Sequence, residues 1–552
     1  MHVSRRILLA SSAAAAATAV PSAARAEDRR HHKIENDPFT LGVASGDPAP
    51  DGVVLWTRLA TDPLAEDGMG GMPDAAFDVK WEVATDEQFR RRVASGREQA
   101  RPEQGHSVHV ELTGLDAGAE YYYRFRTGRW ISPTGRTLTA PALDAMPERL
   151  RMAFASCSQY EHGYFTAYRH MAESSPDLIL HLGDYQYEYK KDVYTSPDGN
   201  VRDHAGPETV TLANYRQRHA QYKTDLDLQA AHAAAPWLVV WDDHETENNW
   251  AGEVPEQGSD TPAREDFLAR RAAAFQAYWE NMPLRRSSVP EGIDMQLYRR
   301  VEWGRLARFH MLDTRQYRDD QACGDGWNDD CSEAWDEKRS ITGDEQEDWL
   351  IEGFQSSRAR WDLLGQQVFF AQRDADAGPI KRTSMDGWDG YTASRDRIIE
   401  GWREAGVRNP VVLTGDVHTH WASELLADFD DPDSERVGVE LVTTSITSGG
   451  DGVDSVPEEN QALRINPHIK FRNAQRGWVH ATITPEQLDV DFQVVPIVTE
   501  QGSEAYVRRS YTVADGDRTL HQTYDRTPES SRTTESTDPF AGSDENADDA
   551  LR

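Results

Sequence analysis

The chain has 552 residues, 38% hydrophobic and 28% charged, with a formal net charge of −35. Its 16 Trp and 19 Tyr argue for folding over most of that length, which allows more than one domain at about 150 residues each. The acid excess excludes unaided binding to nucleic-acid backbones or anionic membranes. Beyond the N-terminus, no apolar run approaches the ~20 residues that span a bilayer.

Residues 1–26 read as an export signal. Ser4-Arg5-Arg6-Ile7-Leu8-Leu9 is a twin-arginine pattern, an Ala-rich stretch follows, and Ala24-Arg25-Ala26 supplies a small-x-small cleavage site. The expectation is a protein secreted, or delivered to the periplasm or cell envelope, by the twin-arginine machinery. From 37 to 145, short segments rich in aromatic and β-branched residues (Phe39–Ala44, Gly52–Arg58, Phe77–Val83, Tyr121–Arg126) alternate with turns such as Ser45-Gly46-Asp47-Pro48. They predict a small β-sandwich domain.

At Leu150 the pattern changes. Apolar strands at Arg151–Ser156, Pro176–Leu182, Pro236–Trp241, Ala307–Leu312, Gln367–Phe370 and Pro410–Thr414 alternate with helical stretches at Tyr164–Glu173, Arg264–Asn281 and Gly343–Leu364. The alternation predicts an α/β domain over 150–515, built as a layered α-β-β-α core. Residues 525–552, with eight acids against three bases, predict a disordered acidic tail. Cys323 and Cys331 are spaced to close a small disulfide loop, which leaves Cys157 unpaired.

The strand ends carry the chemical information, because ligands of open α/β sheets bind beyond the strands' carboxyl ends. Those ends read Cys157; Gly183-Asp184 with Tyr187 three residues on; Asp242-Asp243-His244-Glu245; Asp313; and Gly415-Asp416-Val417-His418-Thr419-His420. Each alone reads as a turn or a solvated surface run. Five ends with ligand-type side chains read as a dinuclear metal centre with Asp184 as the bridge. Cys157 and Tyr187 are donors for a trivalent or transition metal, whereas Asp243 and Asp416 suit a hard cation.

The order of these blocks resembles the calcineurin-like metallophosphoesterase superfamily, related to the purple acid phosphatases. Cys157 in the first block, Asp242-Asp243-His244 in the third and Gly415-Asp416-Val417-His418 in the last look like PhoD-type alkaline phosphatases. Phe39–Pro48 and Val54–Arg58 look like that family's N-terminal domain. The resemblance implies a four-layer catalytic core and Fe³⁺ held by Cys157, Asp184, Tyr187 and His418. It also implies one or two Ca²⁺ held by Asp184, Asp243 and Asp416. His244 would protonate or stabilise the departing oxygen, with a role holding Asp243 as its alternative. Arg315 would contact phosphate, with a structural salt bridge equally open. The superfamily's intermediate His ligand has no match beyond the neighbourhood of Asp313.

The expected activity is hydrolysis of small phosphomonoesters, and diesters as well, at alkaline pH by a monomer. A phospholipase D-like phosphodiesterase acting on phospholipid shares the architecture. A non-catalytic calcium-binding secreted protein is the reading from another class, in which Cys157 and Tyr187 would have no metal to bind.

Overall fold

The structure is a computed structural model that describes residues 33–527 apart from 198, 258–260 and 455–459. The export signal lies outside those residues, as does all but the start of the expected tail.

The chain from Ile34 onward is organised around two large sheets. In spatial order the ten-stranded sheet runs His521–Asp525, Tyr506–Ala514, Gln487–Val495, Arg476–Ile483, Leu150–Ala155, Leu178–Leu182, Pro236–Val240, Val43–Ala49, Gly52–Arg58, Ser107–Thr113. The seven-stranded sheet runs Arg299–Trp303, Ala307–Met311, Trp361–Gly365, Pro410–Thr414, Arg436–Val442, His420–Leu426, Ile469–Asn473. At the centre of each sheet the strands are parallel (Leu150–Ala155, Leu178–Leu182 and Pro236–Val240; Ala307–Met311, Trp361–Gly365 and Pro410–Thr414), so their functional ends point the same way within the sheet. Leu178–Leu182, Pro236–Val240 and Pro410–Thr414 are buried throughout, as expected for parallel strands covered on both faces. One apolar cluster takes residues from both sheets, among them Phe154, Leu180 and Val239 from the first and Phe309, Leu363 and Leu413 from the second. A second cluster joins the seven-stranded sheet to the helices Gly343–Ser356 and Thr392–Ala405.

The N-terminal region is rich in strands, as expected, but they are shared between two sheets. Arg92–Ala100, Phe77–Ala84, Glu120–Thr127 and Trp130–Ile131 form a five-stranded sheet with Gly135–Leu138. Val43–Ala49 instead pairs in parallel with Pro236–Val240, Ser45 opposite Pro236 and Gly46 opposite Trp237. It thereby extends the ten-stranded sheet, an assignment that only long-range hydrogen bonding could make.

Three other elements depart from expectation. The helix begun at Gly343 ends at Ser356, where Ser357 turns extended and its hydroxyl donates to Asp362 (2.9 Å). Trp361–Gly365 then forms the strand, and Val368–Phe370 is a buried loop. The sheet also continues past 515, through the edge strand His521–Asp525, whose exposed polar residues carry no apolar signal. The Cys323–Cys331 disulfide is formed, and Cys157 is the free cysteine.

Candidate metal centre

The ends of four parallel strands converge. Cys157 follows Leu150–Ala155, Asp184 follows Leu178–Leu182, Asp243 and His244 follow Pro236–Val240, and Asp416 and His418 follow Pro410–Thr414. Cys157, Asp184, Asp416 and His418 all have positive φ, between 49° and 66°. Non-glycine residues seldom adopt that conformation, and such strain gathers at functional sites. Two glycines make the convergence possible. A Cβ on Gly183 (φ 112°) would sit 2.5 Å from the Asp242 Cβ, and one on Gly415 would sit 2.8 Å from the Ser156 Cβ. The second contact brings the ends of the two large sheets together.

Two sets of donor atoms result, each lying within 4.8 Å of one another. Cys157, Asp184 and His418 form one, and Asp184, Asp243 and His244 the other, with Asp184 common to both. Tyr187 closes the first set. Its hydroxyl donates to Asp184 Oδ2 (3.1 Å), lies 3.1 Å from His418 Nε2, and accepts from Ser448 (2.7 Å). All six of these residues are buried. Asp416 is half-buried and stands outside both sets; its carbonyl accepts from the Cys157 thiol at 3.5 Å.

The residues fit cations. Asp184 Oδ1 is buried with no hydrogen-bond partner, a costly state for a carboxylate unless a cation faces it. Burial holds the Asp184 carboxyl well above its ordinary value, reinforced by Asp243, Asp242 and Glu245 and opposed by His244. Burial, then Asp184, likewise pushes up the Cys157 thiol and the Tyr187 phenol. A thiol, a phenol and an imidazole beside Asp184 in one set suit a transition metal, and the two carboxylates with an imidazole in the other suit a harder or borderline divalent ion.

His244 is a different case. Burial alone would lower its pKa, but Glu188, Asp243 and Asp184 outweigh burial and raise it well above 6.5. Glu188 Oε2 lies 2.8 Å from His244 Nδ1, and Glu188 Oε1 accepts from the Asn248 N–H (2.8 Å). Glu188 escaped sequence reasoning because it lies one residue past Tyr187 and nothing local marks it as a partner for a histidine 56 positions on.

Arg315 is not placed to contact phosphate. It is fully buried, its Nε donating to Asp242 (2.6 Å) and its two terminal nitrogens to Asp386 (2.7 and 2.8 Å), with Asp243 3.8 Å away. Its guanidinium is thus committed to holding the Asp242–Asp243 loop. Burial raises Asp242 to about 7 despite the pull of Arg315, whereas for Asp386 the pull of Arg315 and Arg318 overcomes burial and lowers the pKa. Asp386 lies two residues past the short strand Arg382–Ser384, which carries no apolar run to mark it in the sequence. Glu245 accepts the backbone N–H groups of Asp184, Tyr185 and Asp242 and so clamps two strand ends together. Asp313 caps its own turn, accepting from the Arg315 and Gln316 N–H groups. His420 lies 3.1 Å from the Gln493 carbonyl and accepts from the Thr444 N–H. Asn249 donates its backbone N–H to Asp243 (2.7 Å).

Comparison with known proteins places these residues in a wider set. Residues 152–492 match the PhoD-like phosphatase family, and residues 22–141 match the PhoD-like phosphatase N-terminal domain. The chain is 54% identical to alkaline phosphatase D of Bacillus subtilis (strain 168) over 474 residues, which is 86% of this chain and 80% of that protein. A solved structure described as that of PhoD superposes with a TM-score of 0.87 at 52% identity, covering 90% of this chain and 94% of that one.

Proposed function

The chain belongs to the PhoD-like phosphatase family, and on that premise we propose that this alkaline phosphatase hydrolyses small phosphomonoesters, and diesters as well, at the convergent strand ends. The observation that carries the reading is the pair of donor sets sharing Asp184, the second of which includes His244. Cys157, Asp184, Tyr187 and His418 would hold iron, and Asp184, Asp243 and Asp416 would hold one or two calcium ions. When bound, such ions polarise a phosphoryl oxygen and lower the pKa of coordinated water.

The chain's own residues supply the rest. Glu188 fixes the His244 ring through Nδ1 and stabilises its protonated form, leaving Nε2 to donate a proton to the departing oxygen. The Arg315–Asp242–Asp386 network holds the Asp243 loop in place from behind. The shared apolar cluster of the two large sheets supports a four-layer α-β-β-α order for a catalytic core that takes in Val43–Ala49, Gly52–Arg58, Ser107–Thr113 and His521–Asp525 from outside the expected 150–515, with the smaller five-stranded sheet inside the expected 37–145. Among the described residues no helix is long and apolar enough to cross a membrane. Export by the twin-arginine machinery to the cell envelope or beyond, and action as a monomer, complete the proposal.

Elemental analysis of the mature protein, together with turnover of p-nitrophenyl phosphate and its bis-ester with and without added calcium, tests it. About one iron per chain and calcium-dependent turnover are expected, and the ratio of the two rates decides monoester against diester. Absence of iron with undiminished turnover would sink the metal assignment.

A further inference from the structure

A second acidic cluster lies where Glu161 meets the loop that follows Tyr187. One carboxylate oxygen from each of Glu161, Asp192 and Asp203 lies within 4.8 Å of the others. Asp192 and Asp203 are exposed, but Glu161 is fully buried. Glu161 Oε1 accepts the N–H groups of Asp192 (3.3 Å) and His204 (3.2 Å), and its carbonyl accepts that of Val201 (2.8 Å). The loop is therefore gathered onto this one residue. Glu161 Oε2, by contrast, is buried with no hydrogen-bond partner. The nearby His204 Nδ1, at 3.5 Å, is also 2.9 Å from the Tyr189 carbonyl, to which its proton is directed. Lys191 Nζ reaches Asp203 (2.7 Å) and Asp192 (4.0 Å) but makes no ion pair with Glu161. Three carboxylates thus face one ammonium, and the buried oxygen is the one it leaves unpaired.

We propose that Glu161, Asp192 and Asp203 form a calcium site, separate from the strand-end centre, that pins this loop to the body of the protein. Calcium takes oxygen ligands at about 2.3–2.6 Å, so donors on opposite sides of one ion stand roughly 4.8 Å apart. Magnesium, at about 2.0–2.1 Å, needs a tighter and more regular shell. Two uncompensated negative charges match a divalent ion, water completes its coordination, and Lys191 is displaced on binding. The same loop begins at Glu188, the partner of His244. That link to catalysis rests on the phosphatase reading, whereas the site itself does not.

The test compares the full mature chain with Asp203→Asn, Glu161→Gln and Lys191→Met. Calcium binding is measured by titration calorimetry, iron by elemental analysis, and order in residues 188–204 by hydrogen exchange. The wild type should hold one calcium more than Asp203→Asn or Glu161→Gln at equal iron content. Calcium should slow exchange of the loop at least tenfold in the wild type and not in those two variants. Lys191→Met, freed of the competing ammonium, should bind calcium more tightly, and equimolar magnesium should not substitute. Equal calcium content in the wild type and Asp203→Asn would overturn the proposal, as would calcium affinity unchanged or weakened by Lys191→Met. Asp203 is exposed, so its variant remains informative if Glu161→Gln does not fold. Failure of the phosphatase reading would show separately, as wild type without iron or turnover.

Discussion

The residue scale is where chemistry is set, and Glu188 is the most informative residue there. Its carboxylate is the strongest of the charges that raise the pKa of buried His244 against the effect of burial. Glu188→Gln should leave iron content and melting temperature nearly unchanged while lowering kcat by about 10²-fold, the low end of what a positioned acid contributes. Glu188→Asp should recover part of the loss; equal kcat in the wild type and Glu188→Gln would remove the residue from the mechanism. Lys223 gives a prediction about stability. It is fully buried; its ammonium nitrogen lies 3.0 Å from the Tyr185 hydroxyl and 3.2 Å from His232 Nε2, and burial, then Arg58, lowers its pKa well below 10.5. Because folding lowers the pKa of this lysine, its contribution to stability is greatest above pH 10.5 and is lost as pH falls from there toward the folded value. Stability should therefore climb toward alkaline pH. Lys223→Met should flatten the slope and stabilise the protein by about 1–3 kcal/mol at neutral pH, because Tyr185 and His232 still meet each other at 2.9 Å. Thermal melts at pH 6, 7.5 and 9 read this directly, and a steeper slope in the variant would contradict it. The strand-end residue types were legible in the sequence because each follows directly on a contiguous apolar strand. Arg315 was open between phosphate and salt bridge because its carboxylate partners lie 71 and 73 residues away.

At the scale of elements, the strand ends and not the strands are under strain. Gly183 combines a left-handed φ with a 2.5 Å approach to Asp242, so it tolerates no side chain. Gly183→Ala should cost about 2–4 kcal/mol, from the positive φ together with overpacking. It should also lower metal content, since Asp184 and Asp243 flank the contact. A variant with wild-type melting and full metal loading would refute this account of the turn. The helix Arg264–Asn281 was read to its observed ends from its composition. The end of Gly343–Ser356 was missed because Ser357 leaves the helix for a hydrogen bond to Asp362, inside a stretch whose own residues favour continuing.

Across the whole molecule, the N-terminal strands are part of the catalytic sheet. Besides the pairing of Ser45 with Pro236, the Trp56 indole donates to the Glu280 carbonyl (2.9 Å) and Arg58 donates to the Arg216 carbonyl (2.9 Å), both in buried surroundings. A chain beginning at residue 146 should therefore be insoluble or melt without cooperativity, because it would bare the edge of Pro236–Val240 and the apolar surface around it. A cooperative melt within a few degrees of the full chain would show that the two parts fold independently. What the sequence determined by itself was local in origin: the α/β alternation, the identity of the residues at each strand end, and the family that their order resembles. Periodicity and residue chemistry write those features into contiguous stretches of chain. Tertiary structure alone decided which strands share a sheet, that Glu188 serves His244, and that Arg315 faces carboxylates. Each of these depends on hydrogen bonds or charge pairs between segments far apart in the chain, whose partners have no fixed spacing to be read.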